Sequence, residues 1–324
     1  MSVSSEAIRI HNLTVRYRGK PAVSGLNLSV PRGSVYALLG DNGAGKSTSM
    51  KVLTGQIRPD TGTATIFGID CWAHADTLRH KLGYVPDRPK LYDWMTVSEI
   101  GWFTAAFHRP GFQDRFLDWA GKLSLDPGKR IKDFSKGGYA RVGLALALAA
   151  DPEVLLLDEP TSGLDLHTRR EFLANLVDLA AEGRTILISS HSISELERFA
   201  SHVGIVLGGK VTHAGTLDSL RGRFRRIGFR YDAAPPDVRA VGTVCESARV
   251  GRSVQHLLMD PDPVALDALR VHPDLHDFEE SAVNLEDVYA ALTRPTAPDA
   301  ERKVAASIFA RCPRPTHRTR SLRA

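Results

Sequence analysis

The sequence has few cysteines and lacks long apolar runs. Its three cysteines, Cys71, Cys245 and Cys312, are scattered and form no CxxC pair. An odd number of isolated cysteines argues against a disulfide framework or a zinc site and favours a reducing compartment. No stretch approaches the roughly 18 consecutive apolar residues that a membrane-spanning helix needs. The first ten residues lack the basic-then-apolar pattern of a secretory signal, so we expect no such signal.

The body of the chain also lacks a net charge. The formal charge of the whole sequence is +5, but residues 296–324 alone contain seven basic and two acidic residues. This stretch therefore accounts for the entire excess. A neutral body gives no electrostatic support for nucleic-acid binding by the folded part, and we expect no nucleic-acid partner. For the basic stretch, contact with anionic lipid head groups and simple solvation both stay open.

A glycine-rich stretch follows the apolar run at 35–39. It fits the pattern G-x-x-x-x-G-K-[ST] and consists of Gly40, Asp41, Asn42, Gly43, Ala44, Gly45, Lys46, Ser47 and Thr48. Glycines let consecutive backbone N–H groups surround a polyphosphate, and the helix expected at 47–53 adds partial positive charge. In such a loop Lys46 bridges the β- and γ-phosphates and Ser47 offers its hydroxyl to Mg²⁺. The sequence therefore predicts a nucleoside triphosphate site rather than a mere glycine-rich turn.

Two carboxylates end a second apolar run. Residues 154–157 are too few and too apolar for a typical helix, and Asp158 and Glu159 follow directly. A buried strand would deliver Asp158 to the sheet edge near the Mg²⁺ and would place Glu159 to polarise water for attack on the γ-phosphate. The alternative is that the pair caps a helix.

Further motifs surround this pair in a recognisable order. Residues 134–141 read FSKGGYAR before an alanine- and leucine-rich helix, residues 162–165 read SGLD, and residues 186–191 read ILISSH. From about Ile8 to Leu220 the sequence closely resembles the nucleotide-binding subunit of an ABC transporter. The resemblance implies ATP as the nucleotide and Mg²⁺ as its metal, with ATP hydrolysis coupled to transport.

The resemblance also assigns roles to single residues. Tyr17 matches the aromatic residue that stacks on adenine, and Glu159 matches the catalytic base. Asp165 matches the loop that communicates across a dimer, and His191 matches the switch histidine at the γ-phosphate. Duller alternatives stay open for two of them, because Tyr17 lies in an alternating strand pattern and His191 follows a strand as many loop histidines do.

The signature motif departs from the family pattern LSGGQ. Aligned without a gap, the chain retains Ser135 and Gly137, whereas Phe134, Lys136 and Gly138 replace leucine, glycine and glutamine. The resemblance implies that Ser135, Lys136, Gly137 and Gly138 act in trans on the nucleotide held by a second subunit. Lys136 either adds charge to that contact or faces solvent.

A second departure is Asp87, which stands where the family usually carries glutamine or glutamate. The family residue contacts Mg²⁺ and the attacking water, and the shorter aspartate predicts contact through a water molecule. Downstream, Thr96 and Glu99 form a predicted capping box. The aromatic residues that follow, Trp94, Trp102, Phe103 and Phe107, are expected mostly in the core, or alternatively in a groove for a helix of a membrane partner.

The expected fold class is α/β: a P-loop NTPase core of the ABC ATPase type with an N-terminal antiparallel β portion. We expect an ATPase domain at 1–224, with a helical subdomain carrying the signature at about 96–149. A small α+β appendage is expected at 225–294, with short strands at 227–231 and 241–259 and a turn at about 249–253. A closing helix is expected to begin near Asn284. The basic tail at 295–324 is expected to be disordered.

The chain carries one set of these motifs, so the resemblance implies a partner subunit, either a second copy or a paralogue. It also implies a separate integral-membrane permease and a place on the cytoplasmic face of the cell membrane. Export is the leading interpretation of the direction of transport. Import, or a non-membrane role of an ABC ATPase, are the alternatives, and the transported compound is not readable from this chain.

Overall fold

The computed structural model describes residues 5–162, 164–232 and 234–293. The chain divides after Leu220 into two compact units, which are described separately below. The predicted basic tail at 295–324 lies outside the described residues. Within the described ranges, no helix is both long and apolar enough to span a bilayer.

The described residues contain fourteen strands and ten α-helices. The strands are β1 (Glu6–Tyr17), β2 (Lys20–Pro31), β3 (Val35–Leu39), β4 (Thr61–Ile66), β5 (Ile69–Asp70), β6 (Leu82–Val85), β7 (Val154–Asp158), β8 (Thr185–Ser190), β9 (His202–Leu207), β10 (Lys210–Thr216), β11 (Phe224–Tyr231), β12 (Thr243–Val250), β13 (Ser253–Met259) and β14 (Leu275–Ser281). The helices are α1 (Lys46–Leu53), α2 (Ala75–Leu78), α3 (Val97–Ala105), α4 (Phe112–Lys122), α5 (Lys136–Ala149), α6 (Leu166–Ala181), α7 (Ile193–Leu196), α8 (Leu217–Gly222), α9 (Pro263–Arg270) and α10 (Leu285–Thr293).

The first unit contains two sheets. The N-terminal sheet is antiparallel, with strand order β2-β1-β4-β5, which confirms the predicted antiparallel β portion. The central sheet has the order β10-β9-β3-β8-β7-β6, and its pairs are parallel except for β10 with β9. Apolar side chains of both sheets share one buried cluster that includes Leu13, Leu26, Leu38 and Leu156.

The central strands place their carboxyl ends at one edge. Every residue of β3, β7 and β8 is buried, as expected for strands covered on both faces. In the register, Leu39 lies opposite Ser190 and Asp158 lies opposite Ser189. The residues that follow β3, β7 and β8 therefore meet at the same edge of the sheet.

Three helices form the predicted helical segment between β6 and β7. The predicted capping box is confirmed, since the Glu99 N–H donates to Thr96 Oγ1 at 3.2 Å and the Thr96 N–H donates to Glu99 Oε2 at 2.8 Å. Helix α3 packs on α4 with Gly101 against the Phe116 ring, where a Cβ would lie 2.1 Å from Cδ1. This close approach fixes which face of α3 is buried.

The expectation that the nearby aromatic side chains lie mostly in the core is wrong. Trp94, Trp102 and Phe107 are exposed, with Trp102 at 71%. The reason is that α3 buries Val97, Ile100 and Gly101 against its neighbours, which turns Trp102 outward.

The second unit is an antiparallel sheet with helices, so the predicted α+β appendage is confirmed as a fold. Its strand order is β12-β13-β11-β14, and the predicted turn near residues 249–253 joins β12 to β13. The closing helix α10 begins where expected, with the Asp287 N–H donating to Asn284 Oδ1 at 2.8 Å. The core of the second unit contains Ile227, Phe229 and Leu258.

Candidate functional site

The glycine-rich loop joins β3 to α1, which confirms the predicted strand–loop–helix context. Gly45 has a φ of 108°, and a Cβ there would lie 2.7 Å from the carbonyl oxygen of Ala22. At Gly40 a Cβ would lie 2.5 Å from the carbonyl oxygen of Val206. Helix α1 begins at Lys46 without a side-chain cap, so the N–H groups of its first turn have no partner within the helix. This cradle of backbone donors suits a phosphate anion.

Lys46 lies inside this loop and is only 5% exposed. Its Nζ donates to the carbonyl oxygens of Gly40 at 2.6 Å and Asp41 at 3.3 Å. It also lies 3.3 Å from Glu159 Oε1. A buried ammonium is costly unless it is paired, and here both the loop carbonyls and the carboxylate compensate it.

Asp158 ends β7 and is 2% exposed. Its Oδ1 accepts hydrogen bonds from Ser47 Oγ at 3.0 Å and from Ser189 Oγ at 2.7 Å. Ser189 was not among the predicted site residues, although its hydroxyl also accepts from the Glu159 N–H at 3.0 Å. The two serines that end an otherwise apolar strand were a usable signal for this role.

Glu159 begins the loop after β7 in a left-handed backbone conformation, with a φ of 49°. Its Oε2 lies 2.7 Å from His191 Nδ1, and the His191 N–H donates to the same oxygen at 3.3 Å. The side chain of Glu159 is largely buried, whereas His191 is 54% exposed. The structure therefore brings together Lys46, Glu159 and His191, whose motifs lie far apart in the sequence.

The alternative that Asp158 and Glu159 cap a helix is wrong. The next helix, α6, starts at Leu166, and its cap is Asp165. The Asp165 carboxylate accepts from the Thr168 N–H at 3.0 Å and from Thr168 Oγ1 at 2.7 Å. These hydrogen bonds lower the pKa of Asp165. The role of Asp165 across a dimer stays a prediction.

The donor set at Asp158 fits a magnesium ion. Mg²⁺ prefers oxygen ligands and typically uses one or two protein groups together with phosphate oxygens and water. Ser47 and Asp158 supply two such oxygens beside the loop. The described residues contain no cluster of three or more histidine, cysteine or acidic side chains that would hold a metal unaided. This arrangement suits an ion that arrives with its nucleotide.

Asp87 lies in the loop after β6 and is 42% exposed, with Arg88 Nε at 3.7 Å. It lines a cavity of about 220 Å³ together with Lys136 and Glu159. The loop is attached to helix α5, because the Leu91 N–H donates to the Tyr139 hydroxyl at 2.9 Å. The water-mediated metal contact of Asp87 stays a prediction.

The signature residues form the start of α5. Ser135 caps the helix, with its Oγ accepting from the Gly138 N–H at 3.2 Å. A Cβ at Gly138 would lie 2.4 Å from Cδ1 of Phe134, so the Phe134 ring occupies the space that a side chain at position 138 would need. Lys136 is exposed, and both interpretations of its charge stay open.

Tyr17 lies at the end of β1, where it pairs with Lys20 across the hairpin, and it is 48% exposed. An exposed ring at a hairpin end is available for stacking. The structure does not choose between adenine stacking and an ordinary surface aromatic residue, so the binding role stays a prediction.

Comparison with known proteins was made by sequence and by structure. The family model described as ABC transporter matches residues 23–162, and an AAA-domain model matches residues 134–197. The daunorubicin/doxorubicin resistance ATP-binding protein of Streptomyces peucetius is 29% identical, over 93% of this chain and 97% of that protein. The Nod factor export ATP-binding protein I of Rhizobium meliloti is 32% identical, over 90% and 89%. A fluoroquinolones export ATP-binding protein of Mycobacterium tuberculosis is 33% identical, over 90% and 94%.

Solved structures show the same fold. An ATP-binding subunit of an ABC transporter superposes with a TM-score of 0.61 at 28% identity, covering 67% of this chain and 92% of that chain. A bacterial ABC transporter cassette solved as a dimer gives 0.60 at 26% identity, covering 65% and 98%. The fold class predicted from the sequence is therefore confirmed. The chain belongs to the ATP-binding subunits of ABC transporters, which are ATP-hydrolysing enzymes.

Proposed function

We propose that this chain hydrolyses ATP between two subunits and thereby drives export through a separately encoded membrane permease. The observation that carries the proposal is the cluster of Lys46, Glu159 and His191 at the carboxyl edge of the central sheet, beside Ser47 and Asp158. The names of the relatives in Streptomyces, Rhizobium and Mycobacterium, which refer to resistance or export, support the direction.

Each side chain of the cluster has a distinct task in this proposal. Lys46 binds the β- and γ-phosphates, together with the backbone N–H groups of residues 40–48. When phosphate oxygens compete for its ammonium group, Lys46 releases Glu159, which lies 3.3 Å away. Glu159 then accepts a proton from the attacking water as a general base. His191 orients that carboxylate through its 2.7 Å contact and offers its exposed edge to the γ-phosphate.

Ser47 and Asp158 hold the magnesium ion in this proposal. Their oxygens already lie 3.0 Å apart, and Ser189 fixes the Asp158 carboxylate from the other side. The ion would supply neutralisation of phosphate charge at this point. Asp87, one strand further along the sheet, is proposed to act through a water molecule.

The signature residues are proposed to complete the site of a second subunit. Ser135 and Gly137 lie at the start of α5, where helix N–H groups and a hydroxyl favour an anion. The chain contains one phosphate loop and one signature, so two subunits make two complete sites. The dimeric cassette among the structural relatives supports this arrangement. The second subunit is another copy of this chain or a paralogue.

The permease is proposed to dock on the exposed aromatic patch, which we define as Tyr92, Trp94 and Phe107. The rings of Tyr92 and Trp94 lie 6.0 Å apart, and Phe103 contacts both Tyr92 and Phe107 edge-on. Exposed contiguous aromatic surface is typical of interaction sites. Its occupant in this proposal is a cytoplasmic helix of the permease, which places the chain on the cytoplasmic face of the membrane.

The variant Glu159→Gln tests the sandwich. With the base removed, hydrolysis is expected to fall about 10²- to 10⁴-fold while ATP still binds, so the ATP-bound dimer accumulates. Light scattering in the presence of ATP and Mg²⁺ measures the fraction of dimer. Glu153→Gln removes the same charge at the other end of β7 and serves as the matched control. A monomeric Glu159→Gln at saturating ATP would contradict the proposal.

The permease and the direction of transport need a separate experiment. Purification of the tagged chain from its own membranes is expected to recover an integral-membrane protein, and the variant Trp94→Ala is expected to reduce that recovery. Vesicles containing both proteins are then expected to move a transported compound away from the ATPase face. Movement toward that face would identify an importer.

A further inference from the structure

An ion pair lies outside the nucleotide cluster, which we define as Lys46, Glu159 and His191. It joins the segment that follows β7 to the segment that follows β8. Arg169 lies in the first turn of α6, and Glu195 lies in α7, directly after the loop that carries His191. Their side chains form a salt bridge between Nη1 and Oε1, and each is at least three-quarters buried. The other guanidinium nitrogen, Nη2, donates to the carbonyl oxygen of Leu164 at 3.1 Å. One guanidinium group thus holds a carboxylate and a loop carbonyl at once.

The pair is only partly satisfied. Among the described residues, Nε of Arg169 and Oε2 of Glu195 are both buried without a hydrogen-bond partner. Burying two charges costs desolvation, and incomplete hydrogen bonding recovers less of that cost. A buried pair of this kind fixes the positions of its two side chains but adds little to the free energy of unfolding. Its value therefore lies in the geometry that it enforces.

Both ends of the pair lead to proposed functional residues. On one side, Asp165 caps the helix that carries Arg169 and accepts from Thr168. The Thr168 side chain borders Gly137 of the signature, where a Cβ would lie 3.0 Å from Thr168 Cγ2. On the other side, Glu195 lies four residues after His191, which contacts Glu159 at 2.7 Å. Side-chain contacts, together with the short backbone segments Thr168–Arg169 and His191–Glu195, therefore connect the signature helix to the general base.

We infer that Arg169 and Glu195 form a positioning pair that holds His191 against Glu159. Among the described residues, neither side chain forms a hydrogen bond or ion pair with Lys46, Glu159 or His191, so both are positioning residues rather than catalytic ones. The inference rests on the roles proposed for Glu159 and His191. Arginine is required because its planar group reaches Glu195 and the Leu164 carbonyl together, which a lysine ammonium cannot do in the same geometry.

Substitution of either member tests the inference. A misplacement of about 1 Å at a reacting group costs up to roughly 10²-fold, so Arg169→Ala and Glu195→Gln are expected to lower kcat at least about 10-fold. The phosphate loop is untouched, so KM for ATP is expected to change by less than about threefold. Arg169→Lys is expected to recover part of the loss. Turnover is expressed per nucleotide-binding chain, measured with the full protein, so that misfolded protein is not counted.

Two controls separate the possible results. Arg170→Ala removes an exposed arginine one residue further along α6 and is expected to keep wild-type kcat. The double variant Arg169→Ala/Glu195→Gln is expected to lose no more than the worse single variant, because the two act as one unit.

Three results would overturn the inference. They are single variants with kcat equal to Arg170→Ala, losses that multiply in the double variant, or losses carried entirely by KM. The variant Glu159→Gln, run in parallel, distinguishes the two levels. If Glu159→Gln keeps full turnover, the proposed roles fail and the pair with them. If Glu159→Gln is inactive while the Arg169 variants are normal, the positioning pair alone fails.

Discussion

The two units use charged residues in opposite ways. At the carboxyl edge of the central sheet, Lys46 and Asp158 are almost completely buried. Lys46 Nζ lies 2.6 Å from the Gly40 carbonyl oxygen and 3.3 Å from Glu159 Oε1, and Asp158 accepts a hydrogen bond from Ser47 at 3.0 Å. In the second unit, several ion pairs lie at the surface, such as Arg223 with Asp260 and Arg230 with Asp277. Pairing charged groups therefore costs desolvation and demands a fixed geometry at the sheet edge, whereas at the surface of the second unit it costs little.

We attribute the difference to the function of the sheet edge, because buried ion pairs add little to stability. Buried charged groups cluster at sites that bind a charged ligand, because the ligand replaces some of their contacts within the protein. Exposed pairs across strands mainly keep a sheet soluble and in register. We therefore expect substitutions at the sheet edge to abolish turnover, and substitutions in the second unit to change stability alone.

The largest expected effect comes from the phosphate loop. Gly45→Ala forces a side chain to within 2.7 Å of the Ala22 carbonyl oxygen at a φ of 108°. Backbone strain of about 1–3 kcal/mol and displacement of the loop are expected to lower kcat/KM for ATP about 10²-fold or more. Gly183→Ala is the control, since Gly183 also has a positive φ but open space around it. Equal activity of the two variants would contradict a role of the glycine-rich loop in binding phosphate.

The next effect is a pH dependence of the stability of the second unit. Burial lowers the pKa of His256 from 6.5 to about 4. As the pH falls below 6.5 the unfolded chain binds a proton that folded His256 does not. Stability that is complete above pH 6.5 is therefore lost toward pH 4, by up to about 3 kcal/mol. Hydrogen-exchange protection of β11 and β13 measures this loss.

The variant His256→Gln is expected to flatten that profile. The exposed His272 provides the control, because His272→Gln leaves the buried imidazole in place and is expected to keep the wild-type profile. A profile that falls equally in His256→Gln would assign the pH dependence to other groups.

The signature departures should behave as one packing unit. Gly138→Gln brings a side chain against Phe134, 2.4 Å from the position of the new Cβ, and is expected to cost about 1–3 kcal/mol of unfolding free energy. Adding Phe134→Leu, which restores the family pair, is expected to recover most of that cost. Urea unfolding of the four proteins of this cycle gives the coupling energy. Strictly additive effects would show that the two departures are independent.

The smallest effect belongs to the surface pairs of the second unit. Arg223 binds Asp260 through two hydrogen bonds, at 2.9 and 2.6 Å, and both side chains are partly exposed. Arg223→Ala is therefore expected to cost less than about 1 kcal/mol in urea unfolding and to leave ATP turnover unchanged. A loss of turnover in this variant would erase the contrast between the two units.

Local patterns predicted a large part of the fold. The phosphate loop between β3 and α1, the Thr96 capping box and the carboxylates after β7 follow from spacing within a few residues. Strand β14 was missed because most of its side chains are exposed and polar, which leaves no apolar alternation. Helix α9 had a readable start, since Asp262 caps it and Pro263 occupies its first turn.

Contacts between distant elements could not be predicted in this way. Ser189 meets Asp158, and Arg169 meets Glu195, only because the order of strands in the sheet brings their loops to one edge. The exposure of Trp102 depends on how closely Gly101 lets α3 approach α4, which is a property of two helices rather than of one.

Two subunits are proposed to share each ATP, and the concentration dependence of turnover distinguishes this arrangement from a self-sufficient single subunit. Specific ATPase activity of the wild-type chain is measured across its dimerisation range, with light scattering on the same samples. If each ATP is shared, activity per chain is expected to rise with concentration and to level off as the dimer saturates. Constant activity per chain at concentrations where scattering finds single subunits would contradict it.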